Sequence, residues 1–479
     1  MLEEFGGGKF GLFSGVACLV QLVARRSSSA TKREDRLVER RIEEPSLMKP
    51  NTEVPADMTR LRVQFIPSSY TEDQGFLSLG HREPSSRSHR AVVSSHDRQW
   101  HVKVTFKGEL LSQLTLTRPF SLPQGSAGKP TNSKGEGLRR RLDLKSLISC
   151  IDFGRLTLLQ DTVTEIELTI AANKDSQRLE VLPLSMRPEL AATSYNEVAH
   201  LLRYSIREDS SRVIYPLYVR DSSPVREIWA DDIQKKEDIS GAVYRVQLSN
   251  AAAGQEYIFK AIDRPFYHPT DTAVIQQELR NLKDLFRVPN IVRLAGIVIS
   301  TNPYQTQKSC KDGLVVLRGL LLEYHPGGTL EEALKIGIPP QTCIIWATQV
   351  AAALHQLHRR GITHMDLKPS NIVVDSQGNA MLIDVSGIGG TTYEWKSPEI
   401  RQEINPFSLP FRNRKWNDIW AFGQLVAKMA TSSGTDSMNE IVRATTKDDP
   451  TSRIDLSTVT TMLKKYSQEQ QLGGSILHY

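Results

Sequence analysis

The chain has 479 residues, enough for two or three domains at about 100–200 residues each. Hydrophobic residues make up 39% and charged residues 24%, a balance typical of soluble globular proteins and not of membrane or fully disordered ones. The net charge is only +6, and most of the basic excess lies before residue 226. The remainder therefore does not resemble a nucleic-acid-binding domain, and we expect no nucleic-acid partner.

The four cysteines are far apart and form no Cys-x-x-Cys pair, which excludes a disulfide scaffold and a Cys-rich zinc site. We therefore expect a reduced, intracellular protein, cytoplasmic or nuclear. The apolar run 10–24 is too short to span a bilayer. Its acidic neighbours Glu3 and Glu4 fit neither a secretory signal nor a mitochondrial presequence. A poorly ordered leader or a short packing helix is the favoured interpretation, and no later segment is apolar enough to cross a membrane.

Residues 1–57 are predicted to be a flexible leader, because they become charged and polar from about residue 27. Residues 58–205 are predicted to form a small β-rich domain. Its predicted strands are runs of alternating apolar and polar residues at 61–65, 100–106 and 163–170.

Other segments of this domain have a different character. Polar runs at 83–90 and 124–137 are predicted to be exposed loops, and 189–204 has helical spacing. Arg139–Arg141 could contact an acidic partner, but a solvated charged loop is the favoured interpretation. We find no catalytic constellation here and expect a regulatory or protein-binding module.

From residue 213 onward, strand-like runs give way to helical ones after His325. Long helices are predicted at 341–359 and 416–430. A strand-rich lobe followed by a helical lobe predicts a cleft between them, where ligands commonly bind.

Three oxygen-bearing side chains follow the first of these helices. Asn371 and Asp384 bracket a predicted hairpin, which would fold them back beside each other in an arrangement suited to Mg²⁺ on a polyphosphate. Asp366 precedes Asn371 closely enough to share the site. Without a metal bound to it, that carboxylate could accept a hydroxyl proton or orient an attacking oxygen.

Here the sequence resembles the eukaryotic protein kinase domain, over roughly residues 213–466. The family's catalytic loop, metal-binding triplet, Pro-Glu motif, helix aspartate and late Asp-Pro-x-x-Arg are matched in order by HMDLKPSN (364–371), DVSG (384–387), SPE (397–399), DIWAFG (418–423) and DPTSR (449–453). The resemblance implies an α+β, two-lobed kinase-like fold after the β-rich domain. It divides into an N-lobe (213–325), a C-lobe (326–466) and a tail (467–479). It also implies that Arg453 pairs with Glu399.

The resemblance assigns the nucleotide-binding residues by position. Lys260 stands where the family anchors ATP phosphates, and Glu278 would be its partner on the helix 271–286. Gly241 and Val243 would end the glycine-rich loop. Around the adenine, the hinge and pocket residues would be Leu322 as gatekeeper, then Glu323, Tyr324, His325 and Val373.

The resemblance also implies a reaction. It is transfer of the ATP γ-phosphoryl group to a Ser/Thr hydroxyl of a protein substrate, with ATP and Mg²⁺ as cofactors. Asp366 would orient the hydroxyl, Lys368 would offset charge, and Asn371 and Asp384 would hold Mg²⁺. Lys368 and Thr392 are typical of the Ser/Thr-directed members.

Several positions depart from the family pattern. Lys236 and Asp238 replace the first two glycines of the loop, and Ile258 replaces a small residue in the adenine pocket. Met365 replaces the arginine before the catalytic Asp, Val385 replaces the Phe after the metal-binding Asp, and the activation segment is short. The residues that perform chemistry are all kept, which favours an active, divergent kinase. A pseudokinase scaffold that binds nucleotide weakly or not at all, and a small-molecule kinase, are the alternatives.

Overall fold

A computed structural model gives the architecture of most of the chain. It describes residues 61–73, 84–107, 133–170, 176–182, 201–250, 254–308, 313–433 and 438–475. The predicted leader at 1–57 lies outside the described residues. The described residues divide into two compact units, one within residues 61–212 together with 301–308 and 313–314, the other within residues 213–300 together with 315–475.

The first unit is built on one mixed sheet with the strand order β1-β3-β4-β5-β7-β6, with β2 beside β3. Its elements are β1 (Arg62–Phe65), β2 (Thr71–Glu72), β3 (Ser86–Ser94), β4 (Gln99–Lys107), helix α1 (Ser133–Cys150), β5 (Val163–Thr169), β6 (Gln177–Arg178) and β7 (Arg203–Glu208). Strands β4 and β5 are parallel and are the strands on either side of α1 in the sequence. Alternate residues of the sheet, such as Val104 and Phe106, share a buried core with Leu144 and Ile148 of α1.

Two predictions for this unit are wrong. The predicted loop at 83–90 contains the first five residues of β3, where Arg87 and His89 are buried. Arg139–Arg141 lie in α1, not in a loop, and Arg140 is buried with its Nε 2.7 Å from Oε1 of Glu72. These polar residues are buried because the fold places hydrogen-bonding or charged partners beside them.

The predicted helix at 189–204 lies mostly outside the described residues. Its last two residues, Arg203 and Tyr204, belong to strand β7, which pairs antiparallel with β5. The predicted domain boundary at residue 205 thus falls inside a strand. Likewise, the predicted loop at 124–137 overlaps the start of α1, and its earlier residues lie outside the described ones.

The second unit begins with a six-stranded sheet in the order β8-β12-β13-β11-β10-β9. Its strands are β8 (Glu227–Trp229), β9 (Ile233–Ser240), β10 (Val243–Leu248), β11 (Tyr257–Ala261), β12 (Leu294–Thr301) and β13 (Val315–Glu323), and helix α2 (Pro269–Asp284) lies between β11 and β12 in the sequence.

The remainder of this unit is mostly helical. It contains α3 (Leu330–Ile336), α4 (Pro340–Arg359), the hairpin β14 (Ile372–Val374) and β15 (Ala380–Leu382), α5 (Phe411–Ser433), α6 (Asn439–Thr445) and α7 (Leu456–Ser475). The predicted mixed α+β architecture, with a β-rich part before the helical part, is confirmed. A tail is predicted from residue 467 onward, but helix α7 continues to Ser475.

One apolar core runs through this unit and fixes the elements that carry the candidate site. Helix α4 is buried along Val350 and Leu354, which join Phe422 and Leu425 of α5 in the same cluster. The hairpin β14–β15 is anchored to that cluster by Ile372 and Leu382, which face each other across the ladder. Among the described residues, no helix is long and apolar enough to cross a membrane.

Candidate active site

Lys260 joins two acidic residues from distant parts of the chain. It lies on β11, and its Nζ is 2.5 Å from Oε2 of Glu278 on α2 and 2.7 Å from Oδ1 of Asp384. Burial alone would lower the pKa of Lys260, but the carboxylates of Asp384 and Glu278 outweigh it and raise that pKa. The lysine is therefore held as a cation at the position where the resemblance expects it.

Helix α2 positions Glu278. The helix begins with Pro269 at its first turn, and His268 and Asp271 form a reciprocal capping box. Val274, Ile275 and Leu282 give the helix its buried apolar face, and Glu278 is completely buried on it. A glutamate so deeply buried needs a charged partner, which Lys260 supplies.

Asn281 is a site residue that the sequence analysis missed. Its Nδ2 donates to the carbonyl oxygens of Val385, at 2.7 Å, and Ser386, at 3.1 Å. These bonds tie α2 to the segment that follows Asp384. A polar residue three positions after Glu278 lies on the same helix face, which is buried here. That spacing is the sequence signal that could have identified Asn281.

The backbone of the catalytic loop is held by Asp418 of α5. The N–H groups of His364 and Met365 each donate to its carboxylate across 2.8 Å, and the carboxylate is fully buried. Met365 takes a left-handed backbone conformation with φ 68°, which is unusual for a residue other than glycine. These two hydrogen bonds stabilise the strained turn that precedes Asp366.

Asp366, Lys368 and Thr392 form a closed polar network. Oδ1 of Asp366 accepts hydrogen bonds from the backbone N–H of Thr392, at 2.8 Å, and from its Oγ1, at 2.7 Å. Nζ of Lys368 lies 2.8 Å from Oδ2 of Asp366 and donates to Oγ1 of Thr392 across 2.8 Å. The sequence-predicted catalytic residues are therefore together, and Thr392 bridges the other two.

Asn371 and Asp384 are brought together by the hairpin β14–β15. The N–H of Ile383 donates to the carbonyl oxygen of Asn371 across 3.1 Å, and Nδ2 of Asn371 donates to the carbonyl oxygen of Asp366 across 2.7 Å. Oδ1 of Asn371 is buried and has no hydrogen-bond partner among the described residues. An orphaned buried amide oxygen beside a carboxylate fits an oxygen-ligated divalent cation such as Mg²⁺.

This pair cannot form a complete metal site alone. Within the part of the chain that the structure describes, no group of three or more His, Cys, Asp or Glu side chains could hold a metal ion. Mg²⁺ commonly uses one or two protein ligands and completes its coordination with water and phosphate oxygens. The donor set therefore fits a cation that arrives with a polyphosphate.

A cavity of about 280 Å³ extends from Lys260 and Asp384 to the segment after β13. Its apolar lining includes Val243, Ile258, Leu322, Val292 and Val373. Glu323 at the end of β13, and Tyr324 and His325 after it, also line the cavity. Apolar walls beside a polar, charged end suit a planar base attached to phosphates.

Two predicted nucleotide-binding residues lie away from this cavity. Gly241 occupies the turn between β9 and β10, with φ 47°, and lines a separate pocket. Glu278 reaches the site only through Lys260. The acidic residues Glu237 and Asp238 do line the cavity, so negative charge stands where the resemblance expects glycine-rich backbone.

The segment after Asp384 is packed at both of its ends. Val385 is completely buried and shares one apolar cluster with Leu282 of α2. At the other end, the guanidinium of Arg453 binds both carboxylate oxygens of Glu399, at 2.6 and 2.9 Å. This bidentate pair is the one expected from the resemblance.

Comparisons with known proteins find sequence similarity to protein kinases. The model of the protein kinase domain family matches residues 239–469. Mitogen-activated protein kinase kinase kinase 3 of Arabidopsis thaliana is 34% identical over 33% of this chain and 23% of its own length. Mitogen-activated protein kinase kinase kinase 18 of the same plant is 30% identical over 33% of this chain and 47% of its own length. Cell division control protein 7 of Schizosaccharomyces pombe is 29% identical over 40% of this chain and 17% of its own length. The chain thus spans less than half the length of each of these relatives.

Proposed function

Since residues 239–469 are a domain of the protein kinase family, we propose that this chain is a catalytically active serine/threonine protein kinase. Its reaction would transfer the γ-phosphoryl group of ATP to a Ser or Thr hydroxyl of a protein substrate. The role of the β-rich unit as a protein-binding or regulatory module stays a prediction.

The observation that carries this proposal is the contact of Lys260 with both Glu278 and Asp384. The three residues come from β11, α2 and the segment after β15, so their meeting requires the two parts of this unit to be correctly assembled. In the protein kinase family, this lysine–glutamate pair and the metal-binding aspartate must both be in place for phosphoryl transfer.

ATP with Mg²⁺ would supply the electrophilic phosphoryl group and neutralise part of its charge. Lys260 would bind the phosphates, and Asn371 and Asp384 would hold the cation. Asp366 would orient the acceptor hydroxyl and take its proton, and its contacts with Thr392 and Lys368 would hold the carboxylate in position for this. Lys368, beside it, would offset the charge that develops on the transferred group.

The preference for serine and threonine is supported by Lys368 and Thr392. The ammonium of Lys368 donates to Thr392 and pairs with Asp366, so the loop keeps the arrangement typical of Ser/Thr-directed relatives.

A scaffold without catalysis is the second candidate, favoured by the acidic rim of the cavity. Glu237 and Asp238 would repel phosphates, while Ile258 narrows the space for the base. Lys260 offers one positive charge to offset the repulsion of the phosphates, and that charge is already shared between two carboxylates.

Phosphoryl transfer by the full chain decides between the two. The parent is incubated with radiolabelled ATP, Mg²⁺ or Mn²⁺, and a mixture of protein and peptide acceptors, followed by phosphoamino acid analysis. We expect phosphoserine and phosphothreonine with the parent and none with Asp366→Asn, whose Mg²⁺–ATP affinity should stay close to that of the parent. Asp375→Asn, which removes a carboxylate from the β14–β15 turn, is the matched control and should keep activity. Binding without any transfer by the parent would establish the scaffold instead.

A further inference from the structure

Residues 213–221, here called the strap, lie beside the first residues of β13 in the second unit. The strap runs antiparallel to the start of β13. The N–H of Tyr218 donates to the carbonyl oxygen of Val315, and the N–H of Leu317 donates to that of Pro216, both across 2.9 Å. The side chains of Val213, Tyr215 and Tyr218 pack against the main core. The strap is therefore an ordered part of this unit.

The first attachment between the strap and α2 is at Ile214. Its carbonyl oxygen accepts a hydrogen bond from Oγ1 of Thr272 across 2.7 Å, and its N–H donates to Oη of Tyr267 across 3.0 Å. Oη of Tyr267 is also 2.8 Å from Oγ1 of Thr272, which closes the network. Thr272 is buried at the first turn of α2, so the bond that it donates to Ile214 is partly shielded from water.

The second attachment is at the opposite end of the helix. Oδ2 of Asp221 lies 2.5 Å from Nζ of Lys283 in the last turn of α2. Between the two attachments, Pro216 and Val219 of the strap and Leu279 of α2 line a cavity of about 280 Å³. The strap thus holds α2 near its two ends, with open space between them.

Glu278 lies between the two attached residues of the helix, Thr272 and Lys283. Apolar burial presses α2 onto the sheet but is not directional, so it tolerates small shifts along or about the helix axis. Hydrogen bonds and ion pairs depend steeply on distance and angle, so attachment near both ends restricts such shifts. The contact of 2.5 Å between Glu278 and Lys260 is sensitive to shifts of this kind.

We propose that the strap positions the Lys260–Glu278 pair, with Ile214 acting through Thr272 and Asp221 acting through Lys283. These four are positioning residues, since none of them lines the nucleotide cavity. The inference rests on the proposed kinase function, because the pair matters for catalysis only where nucleotide binds. It extends the functional unit upstream of the matched family domain, which begins at residue 239.

Two variants of the full chain remove the attachments. Thr272→Val keeps the shape of the side chain but leaves the carbonyl of Ile214 without its donor, and Asp221→Asn removes the charge that binds Lys283. For the double variant, we expect the Kd for Mg²⁺–ATP to rise about threefold to tenfold, a range typical of residues that act through a neighbour. Without nucleotide, hydrogen exchange at the amides of residues 276–284 should accelerate, while exchange in α4 should match that of the parent.

Conservative changes at these positions should restore the nucleotide affinity and the hydrogen-exchange rates of the parent. Thr272→Ser keeps the hydroxyl, and the exchange Asp221→Lys with Lys283→Asp rebuilds the ion pair in reverse. Arg220→Gln is the matched control on the strap. Arg220 is exposed and binds Glu227, not α2, so this variant should keep the affinity of the parent.

The possible results separate this inference from the proposed function. Parent-like exchange in α2 for the double variant, or equal acceleration in α4, would overturn the positioning role. A parent that binds no nucleotide would contradict the proposed function, while exchange in α2 would still decide whether the strap holds the helix. Asp221→Asn alone removes only a surface pair, so it provides a folded variant if Thr272→Val is too destabilised to purify.

Discussion

Ile258 lies directly opposite Leu322 in the antiparallel ladder between β11 and β13. Both side chains line the cavity beside Lys260, so two branched apolar residues meet where the resemblance expects one of them to be small. This pair reduces the space for a planar base. It explains how a site with every expected polar residue could still bind nucleotide weakly.

Enlarging the cavity at this pair should strengthen nucleotide binding. For Ile258→Ala, we expect the affinity for Mg²⁺–ATP to rise about tenfold, since relief of overpacking of this size is worth roughly 1–3 kcal/mol. Isothermal titration calorimetry measures the effect. Val298→Ala is the control. Val298 is buried on β12 in a second, smaller apolar cluster with Val246 and Leu321, so its loss should lower stability with no gain in affinity. Equal affinities for Ile258→Ala and the parent would contradict an occluded adenine slot.

Replacing Lys260, the positively charged side chain of the site, should abolish the stabilisation of the fold by nucleotide. Lys260→Met leaves Glu278 and Asp384 facing the phosphates without the charge that now joins them. We expect no rise in melting temperature with Mg²⁺–ATP for this variant, whereas the parent should show one. Lys464→Met makes the same chemical change at an exposed position on α7 and should keep the shift. If ATP stabilises Lys260→Met as much as the parent, the phosphates bind elsewhere.

Activity should not depend on phosphorylation of the activation segment. Met365, which replaces the usual arginine, is buried and carries no charge for a phosphate to neutralise. Thr392 is already engaged with Asp366 and Lys368. We therefore expect Thr391→Ala and Tyr393→Phe to retain the activity of the parent.

Phosphatase treatment before the kinase assay checks this directly. Thr392→Ala is the informative contrast, since it removes the bridging hydroxyl and should lower activity without any role for phosphate. A loss of activity after dephosphorylation that a phosphomimic at Thr391 restores would show that the segment is regulated.

The Arg453–Glu399 pair should make stability depend on pH. Burial alone would raise the pKa of Glu399, but hydrogen bonds from Arg453 outweigh it and hold that pKa below its ordinary value. A carboxyl group with a lowered folded-state pKa adds stability above its unfolded value of about 4.3, and that stability is lost as pH falls through the folded value. Arg453→Met should cost about 3 kcal/mol at neutral pH, as for other broken buried pairs.

Urea unfolding from pH 7 to pH 3 measures this contribution. The parent should lose stability over the acidic part of the range, and Arg453→Met should lose less there because its Glu399 no longer gains from ionisation in the folded state. Glu399→Gln should behave similarly at low pH. Parallel curves for the parent and Arg453→Met would show that the pair contributes no pH dependence.

Local sequence determined most of the second unit. The apolar spacing of residues 341–359 predicted α4, and the short apolar runs at 372–374 and 380–383 predicted the hairpin that brings Asn371 beside Asp384. These features depend on residues a few positions apart, so a single sequence contains the necessary information.

Tertiary structure alone decided which polar residues are inside and what they bind. Arg87 and Arg140 belong to polar runs that predict loops, yet both are buried, because neighbouring strands and Glu72 enclose them. Asn281 donates a hydrogen bond to the carbonyl of Val385, and Asp221 pairs with Lys283, across sequence separations of 104 and 62 residues. No periodicity or motif encodes such pairs. The two partners stabilise the fold only after the chain between them has folded back and both groups have lost their water.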